Sequence, residues 1–305
     1  MPEVPVLFHI GYHKTGTTWM QERLFLPPFG YAPLLHQQEV WEAIGAPHAL
    51  AFDPGQARDL IAARRAAAGE GLVPVISAET LCGMPFRGAR ESLDYARRIS
   101  QLSSDARILI TIRAQVPIIV ATYMQYVRRG GTRSPERFFT HRPTRGYDRF
   151  DIGHFQYDRL VRTYQDLFGP DRVRVMTQEQ LIADPVRFIS DLAAFAGVQD
   201  RTALPDTSRV GVSDPEAANG LLRLINHFRF DDATDWPLID TGRLGTFAFR
   251  ATSALFRRQP LRSLTGRNRP VTALARRLYG GTLAQSNRRP LDLCAPRLGL
   301  PGYDQ

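Results

Sequence analysis

Residues 8–21 read FHIGYHKTGTTWMQ, and Lys14 within them is the only lysine among 39 basic residues. Lysine carries a compact point charge on a flexible stem, whereas arginine is a planar fork that holds its proton permanently. One lysine kept in a chain that otherwise uses arginine points to work a guanidinium cannot do. The neighbouring residues agree. Gly11 and Gly16 stand five apart and let the backbone come close to a ligand. The stretch joins an apolar run to a helical pattern, and a helix N-terminus offers unpaired N–H groups and a positive dipole end. Thr15, Thr17 and Thr18 add hydroxyls. These are the parts of a phosphate cradle.

Two more charged residues end later apolar runs. Glu79 closes LVPVISAE (72–79) and Arg113 closes ARILITIR (106–113). A carboxylate beside an anion cradle can serve as a general base, and a raised pKa would help it act near neutral pH. His13, next to Lys14, is the rival base. An enzyme that uses ATP usually places an Asp, for Mg²⁺, where Arg113 stands. A cation there repels a metal and attracts a second phosphate. The two cysteines, Cys82 and Cys294, are too few for a zinc site or a disulfide framework, and no metal is expected.

The elements that must position these groups alternate. Strands are expected at 4–10, 72–79, 106–113 and 171–177. Helices are expected from Thr17 to about Leu26, then over 56–68, 89–103, 116–129, 154–169, 185–197 and 214–229. Residues 130–153 read as a long surface segment. Strand–helix alternation implies an α/β fold with a mostly parallel sheet and helices on both faces. Ligands of such sheets bind at the carboxyl ends of the strands, which would bring the Lys14 loop, Glu79 and Arg113 to one crest.

Charge divides the chain. Residues 241–305 hold 12 Arg against 2 Asp, while the first 240 hold 27 basic and 28 acidic residues. The expected organisation is an α/β core over 1–240 and a basic extension over 241–305 that packs on or completes it. The extension mixes apolar residues with its arginines (FAFRATSALFRR), which suits an anionic membrane surface; nucleic acid is the less fitting partner. Without a signal peptide pattern or a long apolar run, the expected location is cytoplasmic, with contact to the inner membrane face through the extension.

The loop resembles the P-loop G-x-x-x-x-G-K-[ST] of nucleotide kinases, but its lysine sits inside the loop and Thr17 follows the second glycine. With Arg113, that departure resembles the sulfotransferases that use 3′-phosphoadenosine 5′-phosphosulfate (PAPS). HKTGTTWMQ looks like their 5′-phosphosulfate loop and ILITIRAQVPIIVATYMQYVRRG like their 3′-phosphate segment. FGPDRVRVMTQEQLIADPVRFISDLAAFAGV looks like the strand and helix that follow, and SNRR (286–289) like a C-terminal element of bacterial members. The resemblance implies a P-loop-like fold and PAPS as donor substrate. It implies that Lys14 stabilises the leaving phosphate, that Thr15, Gly16, Thr17 and Thr18 hold the 5′-phosphate, and that Arg113 holds the 3′-phosphate. Arg288 would close over the nucleotide. The family places a serine eight residues after the arginine; here Ala121 stands there, and Thr122 beside it is the substitute hydroxyl. Glu79 matches the base of several glycan-modifying members, which implies a carbohydrate or glycolipid acceptor.

Two other readings make different predictions. A P-loop small-molecule kinase would need ATP, Mg²⁺ and a metal-binding Asp. A non-catalytic protein that binds nucleotides or anionic surfaces would show salt-sensitive binding through the extension and no sulfuryl transfer.

Overall fold

The computed structural model describes residues 4–140, 149–199, 204–208, 215–233, 237–259, 261, 263 and 268–287. Its centre is a five-stranded parallel sheet in the order β2-β3-β1-β4-β5. The strands are β1 (Leu7–His9), β2 (Tyr31–Leu35), β3 (Val73–Ser77), β4 (Arg107–Ile112) and β5 (Val173–Thr177). Apolar runs buried on both faces are what a covered parallel sheet requires. Alternation along each strand sends side chains to two separate cores. Phe8, Ile76, Ile108 and Ile110 face one; Leu7, Val75, Leu109 and Met176 face the other.

The first core is roofed by α2 (Gln37–Val40), α3 (Pro54–Ala66), α4 (Ser92–Leu102), α5 (Gln115–Arg128) and α7 (Tyr157–Phe168). The second is roofed by the helix after β1 and by the helix Pro185–Ala196, through Trp19, Met20, Leu24, Phe188, Ile189 and Leu192. Trp19 is thus a core residue; its Nε1–H donates to the Asp206 carbonyl at 2.8 Å. The helix after β1 begins as α1 (Thr17–Trp19), widens into a π-type turn over Met20–Leu24, and stops before the Pro27–Phe29 turn. Of the expected helices, 154–169 starts later, at Tyr157, and 214–229 is a short 3₁₀ turn followed by Asn219–Asn226.

An edge strand and a short helix are among the elements that lie where no periodic signal pointed. β2 contains Pro33 and pairs with β3 alone, with a register shift between Pro33 and Leu35. Proline is tolerated on such an edge because one side of the strand needs no partner. Inside the expected surface segment 130–153, α6 (Pro135–Phe139) is capped by the Ser134 hydroxyl, which accepts from the Arg137 N–H at 3.2 Å. Phe138 and Phe139 anchor it in the core.

The described part of the extension also reaches the core. Phe249 of the helix Arg243–Arg257 is buried there, as are Val271, Leu274, Ala275 and Leu283 of the helix Pro270–Asn287. The Tyr279 hydroxyl donates to the Phe139 carbonyl at 2.7 Å, and Ser286 bonds Asp158 on α7 at 2.6 Å.

Candidate active site

β1 is followed by the loop Ile10–Gly16, and its ladder with β4 runs on through two more bonds. Ile10 N–H donates to the Leu109 carbonyl at 3.0 Å and Tyr12 N–H to the Thr111 carbonyl at 2.9 Å. This ties the first half of the loop to the end of β4. Lys14 then adopts φ 68 and Gly16 φ 96. Left-handed backbone is ordinary for glycine and costs a side-chain-bearing residue about 1–2 kcal/mol. A lysine held there marks a position the surrounding structure over-determines. Lys14 and Thr18 are exposed, while His13, Thr15 and Thr17 are buried.

The threonines of the loop divide their tasks. Thr15 turns its hydroxyl inward, donating to the Tyr12 carbonyl at 2.6 Å and bonding Thr111 Oγ1 at 2.9 Å. What it can offer an anion is its backbone N–H. Thr17 Oγ1 is buried and makes no hydrogen bond, and the same holds for Thr122 Oγ1 on α5. An unmade bond at a buried hydroxyl costs about 1–3 kcal/mol. Both hydroxyls stand in the two segments expected to bind phosphate and keep a proton to donate to one. Thr122 is fully enclosed, so it reaches a phosphate only by turning outward.

Glu79 lies two residues past β3, at the start of the 3₁₀ turn Glu79–Cys82. Burial raises its carboxyl above the ordinary range; Lys14, Arg129 and a bond from Gln37 pull the other way. Gln37 Nε2 donates to Glu79 Oε2 at 2.8 Å. The carboxylate is therefore half-buried, oriented, and within electrostatic reach of Lys14. His13 is different. Burial, then Lys14 and Arg129, hold its imidazole down to about 3, which leaves it neutral and weakly basic at pH 7.

Arg113 follows β4 directly. Tyr157 packs edge-on to Tyr12 with centroids 4.7 Å apart, and its hydroxyl donates to the Arg113 carbonyl at 2.6 Å. One tyrosine thus connects the Lys14 loop to the Arg113 turn. Glu179, on the helix Gln178–Ala183 after β5, meets the same turn by accepting from the Ala114 N–H at 3.1 Å. Arg288 lies outside the described residues, as does Cys294.

Lys14, Glu79 and Arg113 thus leave adjacent strands β1, β3 and β4 at their carboxyl ends. The residues that sequence reasoning missed are Gln37, Gln21 and the buried polar groups beneath them. Their signal is faint: single polar residues, Gln21 within the helix after β1 and the others at or near strand ends. A cavity of about 260 Å³ borders Tyr12 from the side of α4 and α7, lined by Ser92, Asp151, His154 and Arg159 among others. Neither Lys14 nor Glu79 lines it. Among the described residues no group of three or more His, Cys, Asp or Glu could hold a metal ion, and no described helix is long and apolar enough to cross a membrane.

No protein-family model matches the chain, and no curated protein matches it significantly. Among solved structures, a sulfotransferase from Alicyclobacillus acidocaldarius is 22% identical, with 73% of this chain and 94% of that one covered and a TM-score of 0.48. The sulfotransferase domain of the Synechococcus PCC 7002 olefin synthase is 13% identical over 84% of this chain and 95% of that one, with a TM-score of 0.38. Mouse sulfotransferase SULT7A1, complexed with PAP, is 13% identical over 90% of this chain and 89% of that one, with a TM-score of 0.37.

Proposed function

We propose that this chain is a sulfotransferase that moves the sulfuryl group of PAPS to an acceptor hydroxyl, with a carbohydrate or glycolipid as the acceptor class. One observation carries the reading: an exposed lysine in left-handed backbone stands within electrostatic reach of a carboxylate whose pKa burial has raised.

In the proposed reaction the acceptor oxygen attacks sulfur in line. A new S–O bond forms as the bond from sulfur to the bridging phosphate oxygen breaks. The hydroxyl proton passes to the Glu79 carboxylate, and adenosine 3′,5′-bisphosphate leaves. Lys14 meets the charge that gathers on the departing phosphate, an electrostatic contribution of about 2.7–4 kcal/mol for a single well-placed donor. The N–H groups of Thr15, Gly16, Thr17 and Thr18 hold the 5′-phosphate. Arg113 grips the 3′-phosphate as a bidentate fork, with Thr122 as the second contact and Arg288 closing from the extension. Glu79 is preferred to His13 as base because burial strengthens a carboxylate base and weakens an imidazole one.

The outward face of Arg243–Arg257 supports a location at an anionic membrane, where a glycolipid acceptor would be presented. Leu244 and Phe247 are 75% and 71% exposed, and Arg243, Arg250 and Arg258 are exposed alongside them.

Calorimetry tests the donor. Adenosine 3′,5′-bisphosphate should bind in preference to ATP–Mg²⁺, and Arg113→Ala should weaken that binding about 10- to 100-fold, the worth of a hydrogen bond to a charged group. Preference for ATP–Mg²⁺ would transfer the reading to a kinase.

A further inference from the structure

Beneath the proposed site, polar side chains form one continuous hydrogen-bonded chain, buried at Thr15, Thr111, His9 and Ser77 and reaching the surface at Gln37. Thr15 Oγ1 bonds Thr111 Oγ1 at 2.9 Å, and Thr111 bonds His9 Nε2 at 2.9 Å. His9 Nδ1 bonds Ser77 Oγ at 2.8 Å. Ser77 is met by Gln21 Nε2, at 3.1 Å on its hydroxyl and 2.9 Å on its carbonyl. Gln37 Nε2 reaches Gln21 Oε1 at 3.2 Å and Glu79 Oε2 at 2.8 Å. The chain thus runs from the carboxylate to the Lys14 loop across β3, β1 and β4.

Every proton in it has an assignable direction. The Tyr12 carbonyl can only accept, so Thr15 spends its one hydroxyl proton there. Thr15 must then accept from Thr111, and Thr111, its proton used, must accept from His9. His9 therefore carries its proton on Nε2 and presents a bare Nδ1 to the Ser77 hydroxyl. Ser77, having donated, accepts from Gln21. The Gln21 and Gln37 amides face carbonyl and carboxylate oxygens with their nitrogens, as this direction requires. His9 is fully buried, and burial alone holds its pKa down to about 3. The ring of Phe25 lies edge-on to it with centroids 5.5 Å apart. Gly11 leaves room for the arrangement, because a Cβ there would overlap the Thr111 hydroxyl and come within 2.6 Å of His9 Nε2.

We infer that His9 is a positioning residue: through its Nε2–H bond to Thr111 and its Nδ1 bond to Ser77 it fixes the Lys14 loop relative to the strand that delivers Glu79. A packing histidine needs only its two nitrogens satisfied. This one joins three strands at the level where Lys14, Glu79 and Arg113 emerge. Its functional half rests on the sulfuryl-transfer reading; its structural half does not.

The test starts with the ligand-free chain. Nitrogen NMR of the His9 imidazole should find the Nε2–H tautomer throughout pH 5–9. An Nδ1–H form, or a titration inside that range, overturns the network. Folded variants then separate the two arms. His9→Gln keeps a donor toward Thr111 and loses the acceptor for Ser77; His9→Asn does the reverse. Each should lower turnover about 10²-fold, the scale of a misplacement near 1 Å. Affinity for adenosine 3′,5′-bisphosphate should fall more in His9→Asn, which releases the Lys14 loop. Ser77→Ala, a gentler change, should lower turnover in the same direction by less. Wild-type turnover in all three overturns the inference. Should the wild-type chain neither bind the bisphosphate nor transfer sulfuryl, the donor reading fails alone. The tie is then decided by titrating the Glu79 carboxyl in wild type and in His9→Gln. A shifted titration upholds it and an unmoved one overturns it.

Discussion

The extension over residues 241–305 carries 12 arginines against 2 aspartates, while the 240 residues before it are balanced to within one charge. Yet the proposed chemistry lies in the balanced part. At the crest of the sheet a few charges are fixed from beneath: Lys14 by a left-handed loop, Glu79 by Gln37 and burial. In the extension Arg243, Arg250 and Arg258 are exposed beside outward-facing Leu244, Phe247 and Leu255. Abundant charge in water acts by summed attraction and is screened by salt. Sparse charge in a partly dry site acts through geometry. The high isoelectric point of about 10.0 is thus a property of the extension and says little about where reaction would occur.

The sharpest way to break this contrast is Glu79→Gln, which should lower turnover about 10²- to 10⁴-fold, the usual worth of a general base, in an assay with PAPS and a hydroxyl acceptor. Turnover in the wild type should rise with pH through the raised Glu79 pKa. The ionised form of a carboxyl whose folded pKa is raised costs folding stability above that pKa, so this variant should melt no lower than wild type at neutral pH. A clear drop would mean that Glu79 holds the fold together.

Lys14→Arg keeps the charge and changes its shape. Turnover should fall about 10²- to 10³-fold, while calorimetry still detects adenosine 3′,5′-bisphosphate. Full activity would remove the reason to single out the one lysine.

Acid separates the regions without ligands. His9, His13 and His154 are each held down to about 3 by burial, His13 also by Lys14 and Arg129 and His154 also by its interaction with His13, and the extension contains no histidine. The unfolded chain takes up these protons near pH 6.5 and the folded chain only near pH 3, so stability should fall as pH falls across that window. In thermal melts from pH 7 to pH 4, His9→Gln should flatten the loss.

The smallest effect on chemistry is expected in the extension. Replacing Arg243, Arg250 and Arg258 together by Gln should abolish co-sedimentation with phosphatidylserine vesicles, leave phosphatidylcholine controls unchanged, and leave turnover on a soluble acceptor within about twofold, as for surface changes remote from a site.

Much of the frame was legible in the sequence because β1, β3, β4 and β5 are apolar runs bounded by turn residues. β2 was not, since YAPLL carries a proline and follows PPFG, a pattern that reads as turn until a neighbouring strand is seen to need an edge. The Lys14 loop, Glu79 and Arg113 were legible as ends of strands. The chain through His9 was hidden for a different reason. Its members lie 68 and 102 residues from His9, and a lone His, Ser or Thr in an apolar run has no period to betray it. Only strand order and register, His9 opposite Ser77 with β4 on the other side, make them neighbours.

Gly11 has a consequence for how such a sequence can change over time. Any larger residue there must first displace the Thr111 hydroxyl, and removing that hydroxyl strands His9. A Cβ at position 11 would also press on His9 Nε2, so positions 9, 11 and 111 should drift as a linked set: libraries randomised at position 11 alone should recover almost nothing but glycine, whereas joint randomisation of all three should yield survivors with a new partnership.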